Sequence, residues 1–223
     1  VLFDTNKVVV TTELEGILVL SISDNDLSNA TQASLEATIN VTQKLNRTNT
    51  VCRSIECVTT QSSKSLFLSS CSFDKEIEFN PQNFIIKKNI LVLWEYNLYE
   101  KQVERIHELE VDFNPAWLKV VTSEVSEFMI LSVDTHKNGD YVHHRNNHII
   151  RIKGHWSLSD LSLEMVEVID FHSLNLQAFY ANTLDGVYTS SGEVYLYVAD
   201  HWYGVRVLRS RKNESSIIVN SIA

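Results

Sequence analysis

The stretch that decides the fold is Tyr197-Val-Ala-Asp-His-Trp-Tyr-Gly-Val-Arg-Val-Leu208, near the end of this 223-residue sequence. It matches a segment near the beginning, Val9-Val-Thr-Thr-Glu-Leu-Glu-Gly-Ile-Leu-Val-Leu20. Both segments consist of a strand-like run, a polar turn, a glycine and a second strand-like run. Gly16 and Gly204 fall at the same offset, where a tight hairpin needs a positive φ or a close backbone approach. The pair therefore predicts two copies of one antiparallel hairpin.

Weaker copies of the second run occur between these two segments, as Ile90-Leu-Val-Leu93 and Ile149-Ile-Arg-Ile152. The steps from Leu20 to Leu93, Ile152 and Leu208 are 73, 59 and 56 residues. Each step holds about four short runs rich in β-branched and aromatic residues. The sequence thus predicts an all-β fold of three to four antiparallel, blade-like units, as in a β-propeller. A two-sheet β-sandwich has similar strand spacing and is the alternative.

The segment from Tyr195 to Leu208 resembles the repeats of LVIVD-type β-propellers, in which a strand ending in Val-Ala-Asp turns through Gly into a Leu/Val/Ile-rich strand. The copy at Gly16 has Thr12 where that motif places Asp200, and the two middle copies lack the Asp and Gly turn. Members of this family are mostly extracellular or surface-associated. The resemblance implies a surface protein and gives no catalytic residue to carry over.

Runs of β-branched and aromatic residues predict strands along the whole chain. The segment from Glu100 to Glu110 fits a helical turn and a strand equally well. The predicted strands are Lys7 to Thr12, Gly16 to Ile22, Ser65 to Ser69, Asn83 to Lys87, Ile90 to Tyr96, Trp117 to Thr122, Glu127 to Val133, His148 to Lys153, Leu163 to Asp170, Ala178 to Ala181, Gly186 to Thr189, Val194 to Ala199, Val205 to Arg209 and Ser216 to Val219.

Composition indicates a packed chain, because 44% of its residues are hydrophobic and 21% are charged. A formal charge of -9 repels phosphate backbones, so we expect no nucleic-acid partner. No apolar run approaches the ~20 residues of a transmembrane helix, so we expect no membrane span in this segment. The chain begins at Val1 without methionine, and we expect a single β-repeat domain over residues 1–223 that is part of a longer protein.

Four Asn-x-Ser/Thr triplets predict N-linked glycans at Asn29, Asn40, Asn46 and Asn213. The alternative is chance recurrence of a short pattern. Three of the four triplets cluster in a polar segment, which favours glycosylation and predicts a glycosylated, cysteine-containing insertion over residues 24–64. Because a glycan must stand in water, these asparagines should lie on an exposed loop or rim. The protein is therefore expected to be extracellular or at the cell surface.

Three cysteines are present, an odd number. The spacing favours a local disulfide between Cys52 and Cys57, which would close a small loop. Cys71 would then be a buried thiol or pair outside this segment. A zinc site would need a second pair of ligands at metal spacing, and none accompanies these residues.

Five histidines near the middle of the chain form the richest polar cluster: His136, His143, His144, His148 and His155. Adjacent residues of a strand point to opposite faces, and Asn138-Gly139 predicts an exposed hairpin, so we expect no metal here. The sequence also lacks the Gly-x-Ser-x-Gly, Gly-x-x-x-x-Gly-Lys-Ser/Thr and Gly-x-Gly-x-x-Gly motifs. We therefore expect no catalytic residue and no cofactor.

The turn formed by His201, Trp202 and Tyr203 would hold large aromatic side chains at a rim, where they can dock a protein or a sugar ring. Core packing of these aromatics is the alternative. Together the patterns predict a non-enzymatic extracellular glycoprotein that acts as a scaffold for protein partners or for self-assembly, for example as a subunit of a surface filament. The alternative function is a secreted carbohydrate-binding or glycan-hydrolysing propeller.

Overall fold

A computed structural model gives the fold. It describes residues 2–4, 6–12, 16–22, 33–60, 63–76, 85–111, 115–122, 127–134, 148–157, 160–170, 181–190, 193–200, 204–211 and 217–222. The chain divides into two compact units, Val1–Asp112 and Phe113–Ala223. The single domain over residues 1–223 stays a prediction.

The described residues form sixteen strands and one short helix, so the prediction of an all-β fold is confirmed. The first unit contains β1 (Leu2–Asp4), β2 (Lys7–Thr12), β3 (Gly16–Ile22), β4 (Ala33–Ile39), α1 (Val41–Leu45), β5 (Val51–Thr60), β6 (Lys64–Glu76), β7 (Ile85–Asn97) and β8 (Gln102–Val111). The second contains β9 (Pro115–Thr122), β10 (Glu127–Asp134), β11 (His148–Ser157), β12 (Asp160–Asp170), β13 (Ala181–Tyr188), β14 (Glu193–Asp200), β15 (Gly204–Arg211) and β16 (Ile217–Ile222).

The strands form four sheets of four strands each, and every sheet consists of four strands consecutive in the chain. The first sheet is β1-β2-β3-β4, the second β5-β6-β7-β8, the third β9-β10-β11-β12 and the fourth β13-β14-β15-β16. All pairings are antiparallel. The expected four-stranded antiparallel units are thus present, each a simple meander.

The four sequence copies mark the same strand in each sheet. Leu20, Leu93, Ile152 and Leu208 lie on β3, β7, β11 and β15, the third strands. Gly16 and Gly204 each open the third strand with a positive φ, 91° and 77°, as the hairpin prediction required. A Cβ on Gly16 would overlap the carbonyl oxygen of Ile39, so this glycine is required for two reasons.

The observed strands differ from the predicted ones in several places. The ambiguous segment from Glu100 to Glu110 is mostly strand β8, and the two runs predicted between Asn83 and Tyr96 are joined in one strand, β7. Within the segment predicted as a glycosylated insertion, residues 24–64, β4 completes the first sheet and β5 begins the second. Strand β5 mixes buried and exposed residues, among them the buried Ser54 and the exposed Arg53, so a search for apolar runs does not detect it.

The core of the first unit lies between its two sheets. Trp94 and Tyr96 are fully buried there, and the short helix α1 contributes two of its residues. Both sheets of this unit supply side chains to this core. The buried cluster comprises Val9, Ile17, Val19, Ile39, Val41, Leu45, Cys52, Ile55, Phe67, Cys71, Phe73, Ile90, Val92, Trp94 and Tyr96.

In the second unit, β13 of the fourth sheet contacts β9 and β10 of the third. Lys119 on β9 forms an ion pair with Asp185 on β13, with Nζ and Oδ1 3.1 Å apart. Strand β14 alternates strictly: Val194, Leu196 and Val198 are buried, whereas the residues between them are partly or fully exposed. This period of two places the buried residues on one face of the fourth sheet.

Candidate functional site

Two of the four predicted glycan acceptors lie at the two ends of helix α1. Asn40 is the N-cap, and its side-chain oxygen accepts a hydrogen bond from the backbone nitrogen of Gln43 at 3.0 Å. Asn46 ends the helix in the left-handed conformation, at a φ of 54°, which asparagine tolerates better than most residues. Both side chains are exposed. The capping bond uses the oxygen of Asn40, so it leaves the amide nitrogen, where an N-glycan is attached, available.

The segment that carries these asparagines is fixed to the second sheet. Arg47 forms an ion pair with Glu108 on β8 at 2.6 Å, and its guanidinium lies 4.1 Å from the ring centre of Phe73 on β6. The hydroxyl of Thr42 also bonds the backbone of Thr50, closing the loop after the helix. We therefore define residues 40–50 as the acceptor platform. Asn29 and Asn213 lie outside the described residues.

The disulfide joins Cys52 and Cys71, and the predicted pairing of Cys52 with Cys57 is wrong. Cys52 and Cys57 lie in the same strand, β5, where a rise of about 3.3 Å per residue separates their Cα atoms by roughly 16 Å, beyond the ~7 Å limit for a bridge. Cys52 and Cys71 lie directly opposite each other in the pairing of β5 with β6. The strand pairing therefore selects the partner.

The disulfide continues into a buried hydrogen-bond chain. Trp94 donates from its indole nitrogen to the hydroxyl of Ser69 at 2.7 Å. The Ser69 hydroxyl in turn lies 3.3 Å from the sulfur of Cys71, which carries no hydrogen and so accepts. This chain satisfies the polar atom of the largest core side chain. It connects the disulfide to strand β7.

Cys57 is the free cysteine of the set. Burial raises the pKa of its thiol, and the nearby Glu56 carboxylate raises it further, against an opposing hydrogen bond with Thr60. A raised thiol pKa means little thiolate at neutral pH, so Cys57 lacks the activation of a catalytic cysteine.

A partly buried charged cluster connects the first two sheets. Glu36 on β4 accepts from Nζ of Lys7 at 2.8 Å and from the hydroxyl of Tyr96 at 2.8 Å, and Nζ of Lys101 lies 3.6 Å away. A register shift beside Val19 makes Glu36 the extra residue of a β-bulge, a feature that re-aims side chains. Sequence reasoning did not single out these residues, because they come from separate strands.

The cluster holds Glu36 ionised. Burial by itself raises the pKa of Glu36, but the hydrogen bonds from Lys7 and Tyr96 and the charges of Lys7 and Lys101 outweigh it, leaving the pKa below its ordinary value. Burial and the Glu36 carboxylate raise the pKa of Tyr96, which stays protonated and donating. A carboxylate with two hydrogen-bond donors, a second ammonium group 3.6 Å away and a lowered pKa is unsuited to general acid catalysis. Its role is to join β4 to β2 and β7.

We expect the protein to lose stability at low pH because Glu36 becomes protonated. Because its folded pKa lies below its unfolded one, the stabilisation is present above the unfolded pKa and is lost as pH falls through the folded pKa. In urea unfolding, the free energy of unfolding of wild type should exceed that of Glu36→Gln by a constant amount above about pH 5. This difference should shrink below about pH 4. Tyr96→Phe is the control, since it removes one donor and keeps the charge. A margin that does not change with pH would contradict this assignment.

The predicted rim and most of the central histidines lie outside the residues that the structure describes. His201, Trp202 and Tyr203 lie outside the described residues, as do His136, His143 and His144, so the binding rim stays a prediction. His148 and His155 are at opposite ends of their pairing with β10, opposite Asp134 and Glu127. Where the structure describes the chain, no three metal-ligating side chains are grouped, and no helix has the length and apolar character to cross a membrane.

One face of the fourth sheet carries three exposed apolar side chains, together with the exposed carboxylate of Asp185, which pairs with Tyr197. Val187, Tyr197 and Val205 are 51%, 41% and 39% exposed. Strand pairing places Tyr197 opposite Val207 and Val205 opposite Ala199, so these residues share one face across β14 and β15. Large exposed apolar side chains grouped on one face indicate an interaction surface.

Comparison of the chain with models of known protein families gives no match, and no curated protein matches it.

Proposed function

We propose that this chain is a non-enzymatic, N-glycosylated extracellular module that serves as a scaffold for protein interaction or self-assembly, with its four sheets as successive blades of a β-propeller. The observation that carries the proposal is the repetition of one unit: four chain-ordered, four-stranded meanders with the sequence copy on the third strand of each. One such unit cannot cover both of its faces and stacks against neighbours.

The sheet order favours blades over a sandwich. A sandwich of Greek-key type exchanges strands between its two sheets, whereas each sheet here is completed before the next begins. The fourth sheet also has apolar side chains on both faces: Leu196 and Val198 are buried on one, beside the buried Arg206, and Tyr197 and Val205 are exposed on the other. A sheet with two apolar faces suits a position between two neighbours.

The chemistry of the chain supports the extracellular part of the proposal. Disulfides persist in oxidising compartments, and Cys52 and Cys71 form one. Asn40 and Asn46 stand exposed on the acceptor platform, as glycan acceptors must. In the charged cluster around Glu36, the carboxylate binds Lys7 and Tyr96 on other strands, so its role is to join strands. These features together favour a structural glycoprotein over an enzyme.

We expect the natively produced protein to lose mass when its N-glycans are removed enzymatically. Because this reaction converts a glycosylated asparagine to aspartate, peptide mapping should find aspartate at positions 40 and 46. Asn49, exposed on the same platform but outside any acceptor triplet, is an internal control and should stay asparagine. If the mass does not change and asparagine is retained at both acceptor positions, the proposal of an N-glycosylated extracellular protein is contradicted.

A further inference from the structure

The first predicted acceptor triplet of the platform, Asn40-Val41-Thr42, is anchored in the core. Its middle residue, Val41, is 2% exposed and belongs to the buried cluster between the first two sheets. A Cβ on Gly16 would lie only 3.0 Å from Cγ2 of Val41, so Val41 fills the space beside that glycine. The flanking Ile39 and Leu45 are buried as well. Apolar packing therefore holds the chain on both sides of Asn40.

The polar atoms of the same triplet are bonded within the chain. The side-chain oxygen of Asn40 accepts from the backbone nitrogen of Gln43 at 3.0 Å. The hydroxyl of Thr42 donates to the carbonyl oxygen of Thr50 at 3.4 Å and accepts from the backbone nitrogen of that residue at 3.3 Å. Folding thus occupies the hydroxyl on which the acceptor pattern depends.

Glycan transfer needs this triplet outside the core. The asparagine amide nitrogen attacks the anomeric carbon of a lipid-linked oligosaccharide. A carbon–nitrogen bond forms, the bond from that carbon to the lipid pyrophosphate breaks, and the amide loses one proton. The transferase must contact both the amide and the hydroxyl two residues later, since the acceptor pattern requires both. Val41 lies between them, so an enzyme that encloses the triplet must displace Val41 from its packing.

The finished glycan makes no such demand on the fold. Asn40 itself is exposed, and its capping bond uses the side-chain oxygen and not the nitrogen. A glycan attached before folding is therefore compatible with the packed platform. The fold opposes the transfer reaction and tolerates its product.

The second triplet, Asn46-Arg47-Thr48, is held by surface contacts instead. Its middle side chain, that of Arg47, is 27% exposed and is fixed by the ion pair with Glu108 and by the ring of Phe73. Releasing Arg47 breaks a partly exposed ion pair of modest strength and leaves the apolar core in place. Local opening should therefore present Asn46 to an enzyme far more often than Asn40.

The contacts that anchor the platform are made by residues synthesised after it. Glu108 follows Arg47 by 61 residues, and the second sheet, which supplies much of the core around Val41, begins at Val51. At about 5–20 residues per second, the synthesis of those residues takes roughly 3 to 12 s. Both triplets therefore remain accessible for seconds before the platform can be anchored.

We propose that Asn40 receives its glycan only while the first unit is unfolded, and that formation of the core closes this site. Asn46, by contrast, stays open to modification in the folded protein through release of Arg47. This inference rests on the proposed N-glycosylated function and specifies how that modification is regulated. The fraction of molecules with a glycan on Asn40 then reports how quickly the first unit folds after synthesis.

The test compares one chain in two states. The full 223-residue chain, made in a host that adds no N-glycans, is either refolded with its disulfide or reduced and carboxymethylated. Carboxymethyl groups on Cys52 and Cys71, which are nearly inaccessible in the fold, keep the second sample unfolded because folding would bury their charge. Circular dichroism verifies both states. Each sample is incubated with purified oligosaccharyltransferase and a lipid-linked oligosaccharide, and peptide mass spectrometry follows the glycosylated fraction at positions 40 and 46 over time.

The unfolded chain should be modified at both positions. In the folded chain, the rate at Asn40 should fall roughly a hundredfold or more, because transfer then depends on the few molecules in which Val41 has left the core. The rate at Asn46 should fall less than the rate at Asn40, by a factor of at least about ten.

A matched pair of variants tests the role of Arg47 without altering either triplet. Glu108→Gln removes the carboxylate that binds Arg47 and should raise the rate at Asn46 in the folded chain about two- to fivefold, with the rate at Asn40 unchanged. Glu95→Gln removes the carboxylate of a similar ion pair, with Lys64 at 2.6 Å, and should change neither rate.

The outcomes distinguish this inference from the proposed function. If folded and unfolded chains are modified equally fast at Asn40, the core does not close the site, although the N-glycosylated function stands. If folding slows both positions equally, or if Glu108→Gln speeds both equally, Arg47 does not control access to Asn46 and the proposal is overturned. An unfolded chain that gains no glycan at either position would contradict the proposed function as well.

Discussion

Replacing Trp94 with alanine should lower the free energy of unfolding by about 3 to 5 kcal/mol. Trp94 is the largest fully buried side chain described, and it packs in the core between the first two sheets. Its removal leaves a cavity and deprives the Ser69 hydroxyl of its donor. Chemical denaturation followed by circular dichroism measures the loss.

Two milder variants separate packing from hydrogen bonding. Trp94→Phe keeps most of the apolar volume and removes the indole nitrogen, and Ser69→Ala removes the acceptor and leaves that nitrogen buried. Each should lower the free energy of unfolding by less than Trp94→Ala does, because neither leaves a cavity as large as the one left by alanine. A loss below about 1 kcal/mol for Trp94→Ala would show that the core is not packed around this residue.

Removing the disulfide with Cys52→Ala and Cys71→Ala should cost about 3 kcal/mol of unfolding free energy. The two cysteines are separated by 19 residues, so the bridge restricts a substantial loop of the unfolded chain. Cys57→Ala is the matched control and should change stability little, because Cys57 is partly exposed and unbridged. Urea unfolding of the three proteins gives the comparison.

Thiol labelling provides an independent check on the same bridge. Alkylation of the denatured, unreduced protein should modify Cys57 alone, and prior reduction should expose all three cysteines. Label on Cys71 without reduction would contradict the assigned pairing.

The acceptor platform would hold its glycans in a fixed place on the first unit. Arg47 and Thr42 hold residues 40–50 on the second sheet, so glycans at Asn40 and Asn46 would project from a fixed position. Glycans on the platform would keep this part of the surface hydrated.

The strand prediction succeeded where the pattern is local. Lys7–Thr12 and Gly16–Ile22 are strands over the residues predicted, since alternating or continuous β-branched runs favour extended backbone. The positive φ at Gly16 and Gly204 was predictable for the same reason, because the turn requires it within a few residues. The strands β4 and β5 were missed, since their exposed polar residues make the segment resemble a loop.

The sequence by itself thus determined the all-β class, the four-stranded repeat and the hairpin glycines, because residue type and spacing control backbone conformation over a few positions. Only the tertiary structure decided that Cys52 pairs with Cys71, that Glu36 meets Lys7 and Tyr96, and that Tyr197 is exposed where Val9 is buried. Those outcomes depend on strand register and on which sheet packs on which face. Both are set by contacts between residues far apart in the chain, which no local pattern encodes.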